Sequence, residues 1–597
     1  MYTKGRNMNN LNCTRRNFLK AIGFSAASLA VPGCTADTKL SSPETSRQKP
    51  NVILVITDDQ GYGDLACHGN PIIKTPNLDL LHSQSTRLTN FHVSPTCAPT
   101  RAALMTGRYC NRTGVWHTIM GRSLLRKDET TMADAFSANG YKTAIFGKWH
   151  LGDNYPFRPA DRGFGEALVH GGGGVGQAPD YWDNDYFDDT YFHNGKPKKF
   201  KGYCTDIWFD AAIKFIETNK EKPFFCYLST NAPHSPYNVE KKYSDIYKDN
   251  ENVPNANFYG MITNIDENIG RLMKRLKNLK LENDTIFVFM TDNGTSAGFS
   301  RGKGCNAGMR ARKGSEYDGG HRVPCFIRWP NSSLKSGRDI DRLSAHIDLM
   351  PTLLELCRLK NPAGPRLDGA SLMPLLTAAA PNWPDRTIIT DSQRIENPQK
   401  WRKSAVMTDR WRLVNGKELY DIKTDPGQKT DIANEHPQVV KKLRTDYEKW
   451  WQSVSSRFDE YCEIILGCEK ENPARLSSHD WHGTKSPPWH QNHIRNAKKE
   501  NGFWAVEIAR DGKYEFELRR WPREMTEPIT PTPQQVPITK ARLKISNVDL
   551  TQSIAHNALS VTFSVRLKAQ KTTLQTWLID ENAASRGAYY VYVTYLP

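Results

Sequence analysis

The stretch Asn51-Val52-Ile53-Leu54-Val55-Ile56-Thr57, followed at once by Asp58-Asp59-Gln60-Gly61, decides how this chain is to be read. Its residues carry no charge, most are β-branched, and alternate positions are apolar on both sides, which is the pattern of a strand buried on both faces. Such strands lie inside sheets covered by helices on either side. Thr143–Phe146, Phe224–Thr230 (FFCYLST), Thr285–Thr291 (TIFVFMT) and Val323–Trp329 repeat the pattern, with helical periodicity between them. The clearest helix puts Met261, Ile262, Ile265, Ile269, Leu272, Met273, Leu276 and Leu279 on one face. The expected fold class is therefore α/β: a large mixed, mostly parallel sheet flanked by helices, over residues 50–376.

After Leu376 the texture changes. Trp411–Asp421 and a helical Val439–Val454 predict a smaller α+β subdomain over 377–460. Residues 461–597 read as a β-rich extension. Within it, Trp481–Asn492 is rich in His, Pro and Trp. Phe503–Ala509 and Lys513–Leu518 flank Asp511-Gly512, which predicts a two-residue hairpin. Alternation continues in Leu559–Leu567 and Ala588–Tyr595, and Pro528, Pro531, Pro533 and Pro537 mark an irregular connection.

Hydrophobic residues make up 38% of the 597, charged residues 24%, and the mean hydropathy is −0.63, which excludes an integral membrane protein and a disordered chain. Lys and Arg number 81 against 64 Asp and Glu, a net charge of +17 that favours polyanionic partners. Nucleic acid is not expected among them, because no helix-turn-helix, RNA-binding sheet or zinc-finger pattern accompanies the charge.

Residues 1–34 carry five cations (Lys4, Arg6, Arg15, Arg16, Lys20), no acid, and an apolar run Ala21–Pro32 too short to span a bilayer. The pattern predicts an export segment, with a disordered basic arm as the alternative reading. Thr14-Arg15-Arg16-Asn17-Phe18-Leu19-Lys20 resembles a bacterial twin-arginine signal, and Val31-Pro32-Gly33-Cys34 resembles a lipoprotein cleavage box with an atypical Pro. Lipidation of Cys34 would give the protein its one route to a membrane, and a periplasmic or outer-membrane-attached location follows. Without the leader cations the net charge is still +12. The remaining ten cysteines show neither a disulfide scaffold nor a Cys-x-x-Cys zinc site, although Cys462 and Cys468 are close enough for a local bridge.

Two strands end in oxygen ligands: Asp58-Asp59 after the first, Asp292-Asn293 after TIFVFMT. Each pair alone is an ordinary turn. Together, three carboxylates and an amide oxygen at strand carboxyl ends suit a hard cation, Ca²⁺ or else Mg²⁺, rather than Zn²⁺. Ser94–Gly107 (SPTCAPTRAALMTG) places Cys97 at a helix start near Arg101, where the helix dipole and the cation would activate a thiol. The residues alone leave two readings, a candidate nucleophile or a buried thiol in a turn.

Cys97-Ala98-Pro99-Thr100-Arg101 resembles the Cys-x-Pro-Ser/Thr-Arg motif of the formylglycine-dependent sulfatases, in the alkaline-phosphatase-like superfamily. Companion motifs follow in family order: Gly147-Lys148-Trp149-His150, Ala232-Pro233-His234, and Lys313 ahead of Gly314–Pro324, where Asp318 replaces the family's Glu. Leu419-Tyr420-Asp421 with Asp425-Pro426-Gly427 resembles the family's C-terminal subdomain, so the resemblance spans about residues 50–455.

The resemblance implies that a maturation enzyme oxidises Cys97 to formylglycine (3-oxoalanine). It further implies that Asp58, Asp59, Asp292, Asn293 and residue 97 hold a divalent metal. A hydroxyl of the hydrated aldehyde would attack sulfur, and the second hydroxyl would expel sulfate. His150 would be the base for that expulsion and His234 the acid for the departing alcohol. Arg101 and Lys148 would orient residue 97, and Lys148 and Lys313 would neutralise the sulfate oxygens. The implied activity is sulfate-ester hydrolysis on a sulfated polysaccharide or oligosaccharide. Two alternatives stand beside it: a phosphonate or phosphate ester hydrolase of the same superfamily, and a non-catalytic glycan-binding lipoprotein. For substrate contacts, the segments His170–Gly174 and Tyr181-Trp182 and the cations Arg301, Lys303, Arg310 and Arg312 are expected in an anionic glycan cleft.

Overall fold

A computed structural model describes residues 49–378, 383–530 and 537–597. The export segment, Cys34, Pro531 and Pro533 lie outside the described residues. Lys49–Pro597 forms one compact unit. Its main sheet has ten strands in the order Arg338–Ile340, Thr86–Leu88, Cys325–Arg328, Thr285–Thr291, Asn51–Thr57, Phe224–Ser229, Lys142–Gly147, Glu166–Val169, Thr190–His193 and Lys196–Lys199. The five central strands from Thr285–Thr291 to Glu166–Val169 run parallel to one another.

The two-faced burial expected of these strands divides their side chains between two cores. Val52, Leu54 and Ile56 pack with Phe225, Tyr227, Ile286, Val288 and Met290 on one face, together with Ala98, Ala102 and Leu104 of the Cys97–Thr106 helix. Ile53 and Val55 point the other way, with Phe224, Cys226, Leu228, Phe287 and Phe289, against the helices Cys204–Asn219 and Ala256–Asn278. The second helix presents Met261, Ile265, Ile269, Leu272 and Leu276 to that core, at the spacing read from the sequence.

The strand expected over Val323–Trp329 is shorter, Cys325–Arg328, and runs antiparallel to Thr285–Thr291. Between the two lie a short hairpin and a single helical turn, Asp318–His321, which is no crossover helix. A chain returning without a crossover pairs antiparallel.

Residues 388–421 form a four-stranded antiparallel meander, Ile388–Asp391, Ser404–Met407, Trp411–Val414 and Glu418–Asp421. The Pro437–Val454 helix covers it through Val440, Leu443, Tyr447 and Trp450.

Beyond it, a six-stranded and a four-stranded sheet face each other around one core, in which Trp504, Val506, Leu543, Leu574 and Leu578 meet Leu476, Phe516, Leu518, Phe563, Val591 and Val593. The hairpin expected at Asp511-Gly512 is not formed. Phe503–Ile508 pairs with Gln570–Asp580 in the larger sheet, while Gly512–Arg519 pairs with Val561–Leu567 and Tyr590–Leu596 in the smaller. The turn carries the chain across the sandwich, because both strands bury a face in the same core. Gly512 is required by contact: a Cβ there would lie 2.5 Å from the Tyr595 ring. Cys462 and Cys468 are not bridged; Cys462 is buried, with its Sγ donating to the Leu124 carbonyl at 3.2 Å.

The sandwich is tied to the main body by backbone bonds from Ala178 N to Trp489 O (2.9 Å), Gln491 N to Gly176 O (3.0 Å) and Met120 N to His479 O (2.9 Å). Leu574, fully buried between its sheets, gives a direct check on the shared core. Leu574→Ala is expected to lower stability by about 2–5 kcal/mol, read as a lower urea midpoint. An unchanged midpoint would contradict a common core.

Candidate active site

Strand register sets the site. Thr57 lies opposite Thr291, Ile56 opposite Ser229, and Gly147 opposite Ser229. Four adjacent parallel strands therefore end at one level, and Asp58-Asp59, Asp292-Asn293, Lys148–His150 and the turn to His234 leave the sheet along a single edge. The Cys97–Thr106 helix meets that edge with its first turn. Thr100 Oγ1 donates to the Ser94 carbonyl at 2.8 Å, which fastens the turn, and Pro99 is tolerated because first-turn N–H groups have no helical partner. Cys97 and Arg101 are one helical turn apart and share a face.

The charged groups pair one to one. Lys148 Nζ is 2.6 Å from Asp58 Oδ2, Arg101 reaches Asp292 Oδ2 with Nη2 at 2.8 Å and Nε at 3.2 Å, and Lys313 pairs with Asp59 Oδ1. The first two pairs are fully buried, while Lys313 keeps 19% of its side chain exposed. Asp59 N donates to Asp292 Oδ1 at 3.0 Å, and Asn293 Nδ2 to Asp59 Oδ1 at 3.0 Å. Arg101 also donates to the Lys148 carbonyl at 3.2 Å and to Ser229 Oγ. Burial opposes ionisation of Asp59, but the Lys313 and His234 charges outweigh it and hold the carboxyl below its usual range. Asp292 is pushed up to about 7 by burial and the neighbouring Asp58 charge, with Arg101 opposing.

Asp58, Cys97 and Asp292 each present a ligating atom within 4.8 Å of the others. Asp58 Oδ1 and Asn293 Oδ1 are buried without a hydrogen-bond partner. Crowded carboxylates and orphaned oxygens are what a hard divalent cation would satisfy, so these residues fit one.

Both expected histidines are here. His150 Nε2 is 2.8 Å from the Thr118 carbonyl, so the ring proton sits on Nε2 and the lone pair on the unpartnered Nδ1. His234 Nδ1 bonds the Ser235 carbonyl at 2.6 Å, and its Nε2 faces Asp59 Oδ2 at 3.8 Å. Burial and then Lys148 hold His150 well below the ordinary imidazole value. Burial, reinforced by Lys313 and resisted by Asp59, lowers His234 to about 4. Asp59 and His150 both have left-handed backbones, with φ of 69° and 63°, a strain that clusters at functional sites.

Cys97, His150, His234 and Lys313 line one cavity of about 530 Å³. Its outer wall differs from expectation. Trp182 is 5% exposed and packs edge-on against Trp521 at 5.2 Å; Arg310 stacks on Tyr317 at 3.8 Å; Arg312 donates to the Ser296 carbonyl at 3.2 Å. Arg301 and Lys303 sit in an exposed hairpin. None of these five lines the cavity. Of His170–Gly174, Gly173 does line it. The wall instead comes from His117, Gln177, Arg394, Arg402, Lys403 and, from the sandwich, Trp489. The sequence signal for Trp489 was the His-, Pro- and Trp-rich break in an otherwise alternating region; the three cations gave none.

A nucleophile candidate at a helix start, facing neutralised carboxylates at the carboxyl edge of an α/β sheet, is the equipment of a hydrolase for anionic esters. The sulfatase family profile matches residues 50–359, and that of N-sulphoglucosamine sulphohydrolase, C-terminal, matches residues 312–452. The chain belongs to the sulfatase family and is a sulfuric ester hydrolase, of a family that uses formylglycine and a divalent metal. It is 30% identical to arylsulfatase A of Homo sapiens over 66% of this chain and 86% of that one. It is 29% identical to the ulvan-active sulfatase of Formosa agariphila, over 58% and 69%. The solved structure of Ps i-CgsB in complex with k-i-k-neocarrahexaose matches with a TM-score of 0.63 at 29% identity, covering 70% of this chain and 95% of that one. Both family profiles stop short of the sandwich.

Gly173 offers a test of the pocket geometry, since a Cβ there would lie 2.2 Å from the His150 ring. Gly173→Ala is expected to displace the imidazole and lower kcat by at least about tenfold, as misplacement of reacting groups does. Wild-type turnover in this variant would mean that His150 need not hold its place.

Proposed function

We propose that this sulfatase cleaves sulfate esters from a sulfated polysaccharide or oligosaccharide, with a formylglycine made from Cys97 by a maturation enzyme. The observation that carries the reading is the convergence of Cys97 with Asp58 and Asp292, within 4.8 Å, in a cavity shared with Lys313, His150 and His234. Asp58, Asp59, Asp292, Asn293 and residue 97 would hold the metal, for which the oxygen donors favour Ca²⁺. A bound divalent cation polarises nucleophile and sulfate. Arg101, fixed on Asp292, orients residue 97 from one helical turn away. Lys148 and Lys313 bring positive charge to the sulfate oxygens where charge spreads in the transition state.

His150 is the base. Held neutral by burial and by Lys148, it keeps its Nδ1 lone pair at all ordinary pH. His234 is the acid for the leaving alcohol, and the negative charge of a bound sulfate ester offsets Lys313 and raises the imidazole toward the protonated form. Glycan specificity is supported by Trp489, half-exposed on the cavity wall as a stacking surface for a sugar ring, by the excess of positive charge, and by saccharide-directed relatives such as the ulvan-active sulfatase. Among the described residues no helix is long and apolar enough to cross a membrane. The leader supports export to the periplasm or, if Cys34 is lipidated, attachment at the outer membrane. The division we propose is a catalytic part 50–376, a subdomain 377–460 and an extension 461–597.

Cys97→Ala is expected to abolish sulfate release, Lys313→Ala to lower kcat by about 10²–10³-fold, and chelation to stop turnover until Ca²⁺ is restored. Mass spectrometry of the Ser94–Arg108 peptide should find the aldehyde in active protein. An aryl sulfate should be turned over far faster than the matched aryl phosphodiester; the reverse order would replace sulfatase chemistry with phosphoester chemistry.

The pH profile has a defined sign. kcat/KM reports the free enzyme. Its base stays unprotonated well below 6.5, and its acid, near 4, gains its proton as pH falls. The optimum should therefore be acidic, with kcat/KM higher at about pH 5.5 than at about pH 7.5. An optimum above neutrality would remove His234 from the acid role.

A further inference from the structure

The loop Ser392–Lys403 joins the Ile388–Asp391 and Ser404–Met407 strands and carries four cations and one acid. Two of these charges are committed elsewhere. Glu396 accepts from Arg122 Nε at 3.1 Å and bonds His482 Nδ1 at 2.9 Å, and Lys400 pairs with Glu448 outside the cavity. Arg394, Arg402 and Lys403 line the catalytic cavity, and among the described residues none of the three pairs with a carboxylate. Arg101, Lys148 and Lys313, deeper in the same site, each have one. Uncompensated charge gathered on one wall of a concave site raises the local concentration of anions.

The backbone of the loop is anchored at several points. Trp401 stacks on Tyr447 at 3.6 Å between centroids, and its N–H donates to Tyr447 Oη at 2.7 Å. Trp116 Nε1 donates to the Ile395 and Glu396 carbonyls at 3.2 Å, and Arg402 Nε to the Gln393 carbonyl at 2.7 Å, leaving the far end of that guanidinium toward the cavity. Arg394, Trp401 and Lys403 have left-handed φ of 45°, 65° and 40°, an unfavourable backbone that the anchoring over-determines. Beside them Ser392, 2% exposed and lining the cavity, has a buried Oγ with no hydrogen-bond partner. Unpaired cations on an anchored backbone, beside an unsatisfied hydroxyl, make a site for an anion that is not the protein's own.

We propose that Arg394, Arg402 and Lys403, with Ser392, form a second anion subsite, which takes a sulfate or carboxylate carried by the saccharide in addition to the sulfate that is cleaved. The preferred substrate is then a saccharide with at least two anionic groups. The inference rests on the sulfatase reading of the cavity, and its test is a binding measurement that does not depend on turnover.

Calorimetric titration of the full Cys97→Ala chain would compare three saccharides on one scaffold: one sulfate, two sulfates, and one sulfate with one carboxylate. A second anion should tighten binding by about 10–100-fold, as charge-assisted bonds to buried or walled cations do. The gain should shrink to within about threefold when Arg394→Gln and Lys403→Gln are added, and should fall as salt is raised. The arm that shows the gain distinguishes sulfate from carboxylate. Equal affinity of the Cys97→Ala chain for all three saccharides, or a gain that survives the double substitution, would overturn the subsite. Failure of the sulfatase reading itself would appear elsewhere, as no sulfate released from an aryl sulfate by the unmutated chain. Neither Arg394 nor Lys403 makes a side-chain hydrogen bond among the described residues, and matching unfolding midpoints would show that the substituted chain keeps its fold.

Discussion

Three carboxylates crowd one edge of the sheet, and the molecule is organised around neutralising them. Left alone, Asp58, Asp59 and Asp292 would be costly, since an unpaired buried charge destabilises by several kcal/mol. Each has a cation, and each cation comes from a distant part of the chain: Lys148 lies 90 residues from Asp58, Arg101 191 from Asp292, and Lys313 254 from Asp59. Local structure cannot bring these together. The parallel register does, by ending adjacent strands at one level, and the Cys97 helix does, by laying its buried face on the same side of the sheet. A one-to-one balance of charge also leaves the site sensitive to any further ion. On the proposed reading a dication would add charge that offsets the carboxylates, and a sulfate ester would add charge that offsets the lysines.

The same constraint explains which parts of the molecule the sequence could reveal. Strands apolar on both faces are visible in seven residues, and a motif that begins where such a strand ends inherits its position. The Asp58-Asp59 and Asp292-Asn293 pairs were therefore legible together with the sheet, whereas Lys148 and His234 were singled out only through the family resemblance. Cys97 at a helix start beside Arg101 left two readings open, and the motif resemblance chose between them. Orientation was less so: Cys325–Arg328 has the apolarity of its neighbours, and its direction is decided by the absence of a crossover helix before it. At Asp511-Gly512 the local sequence predicted a hairpin that does not form, because pairing is a competition. The eleven-residue Gln570–Asp580 strand takes Phe503–Ile508 as its partner.

Most of the outer wall of the cavity was illegible for a different reason. Trp182 is a large aromatic next to a glycine-rich segment, and nothing local distinguishes a sugar platform from the core residue it is, packed on Trp521 and covered by Arg495 at 4.8 Å. Trp489 does reach the cavity, because the sandwich docks on the 176–178 loop through two backbone bonds. Membership of the pocket is a property of docking, and docking is written across segments some 300 residues apart rather than in either one. Residues 461–597 thus contribute Ser486 and Trp489 to the lining of the cavity.

The replacement of the family's Glu by Asp318 connects that loop to the carboxylates. Asp318 is buried and accepts from Arg412 Nε at 3.0 Å, and Arg412 is itself buried, with Nη2 donating to Asn90 Oδ1 at 2.8 Å. Arg412 belongs to the Trp411–Val414 strand, which pairs with Ser404–Met407, the strand that ends the cationic loop. On the other side, Gly319 and Gly320 follow Asp318 and press on Gly294, which donates to the Gly320 carbonyl at 3.0 Å; a Cβ on Gly294 would lie 1.9 Å from the Gly319 oxygen. Gly294 directly follows Asp292-Asn293. The cations on the outer wall and the carboxylates on the floor are thus braced against each other through one buried ion pair. The Trp411–Val414 strand and the Asp292-Asn293 strand end therefore share one buried support, Asp318 with the two glycines that follow it.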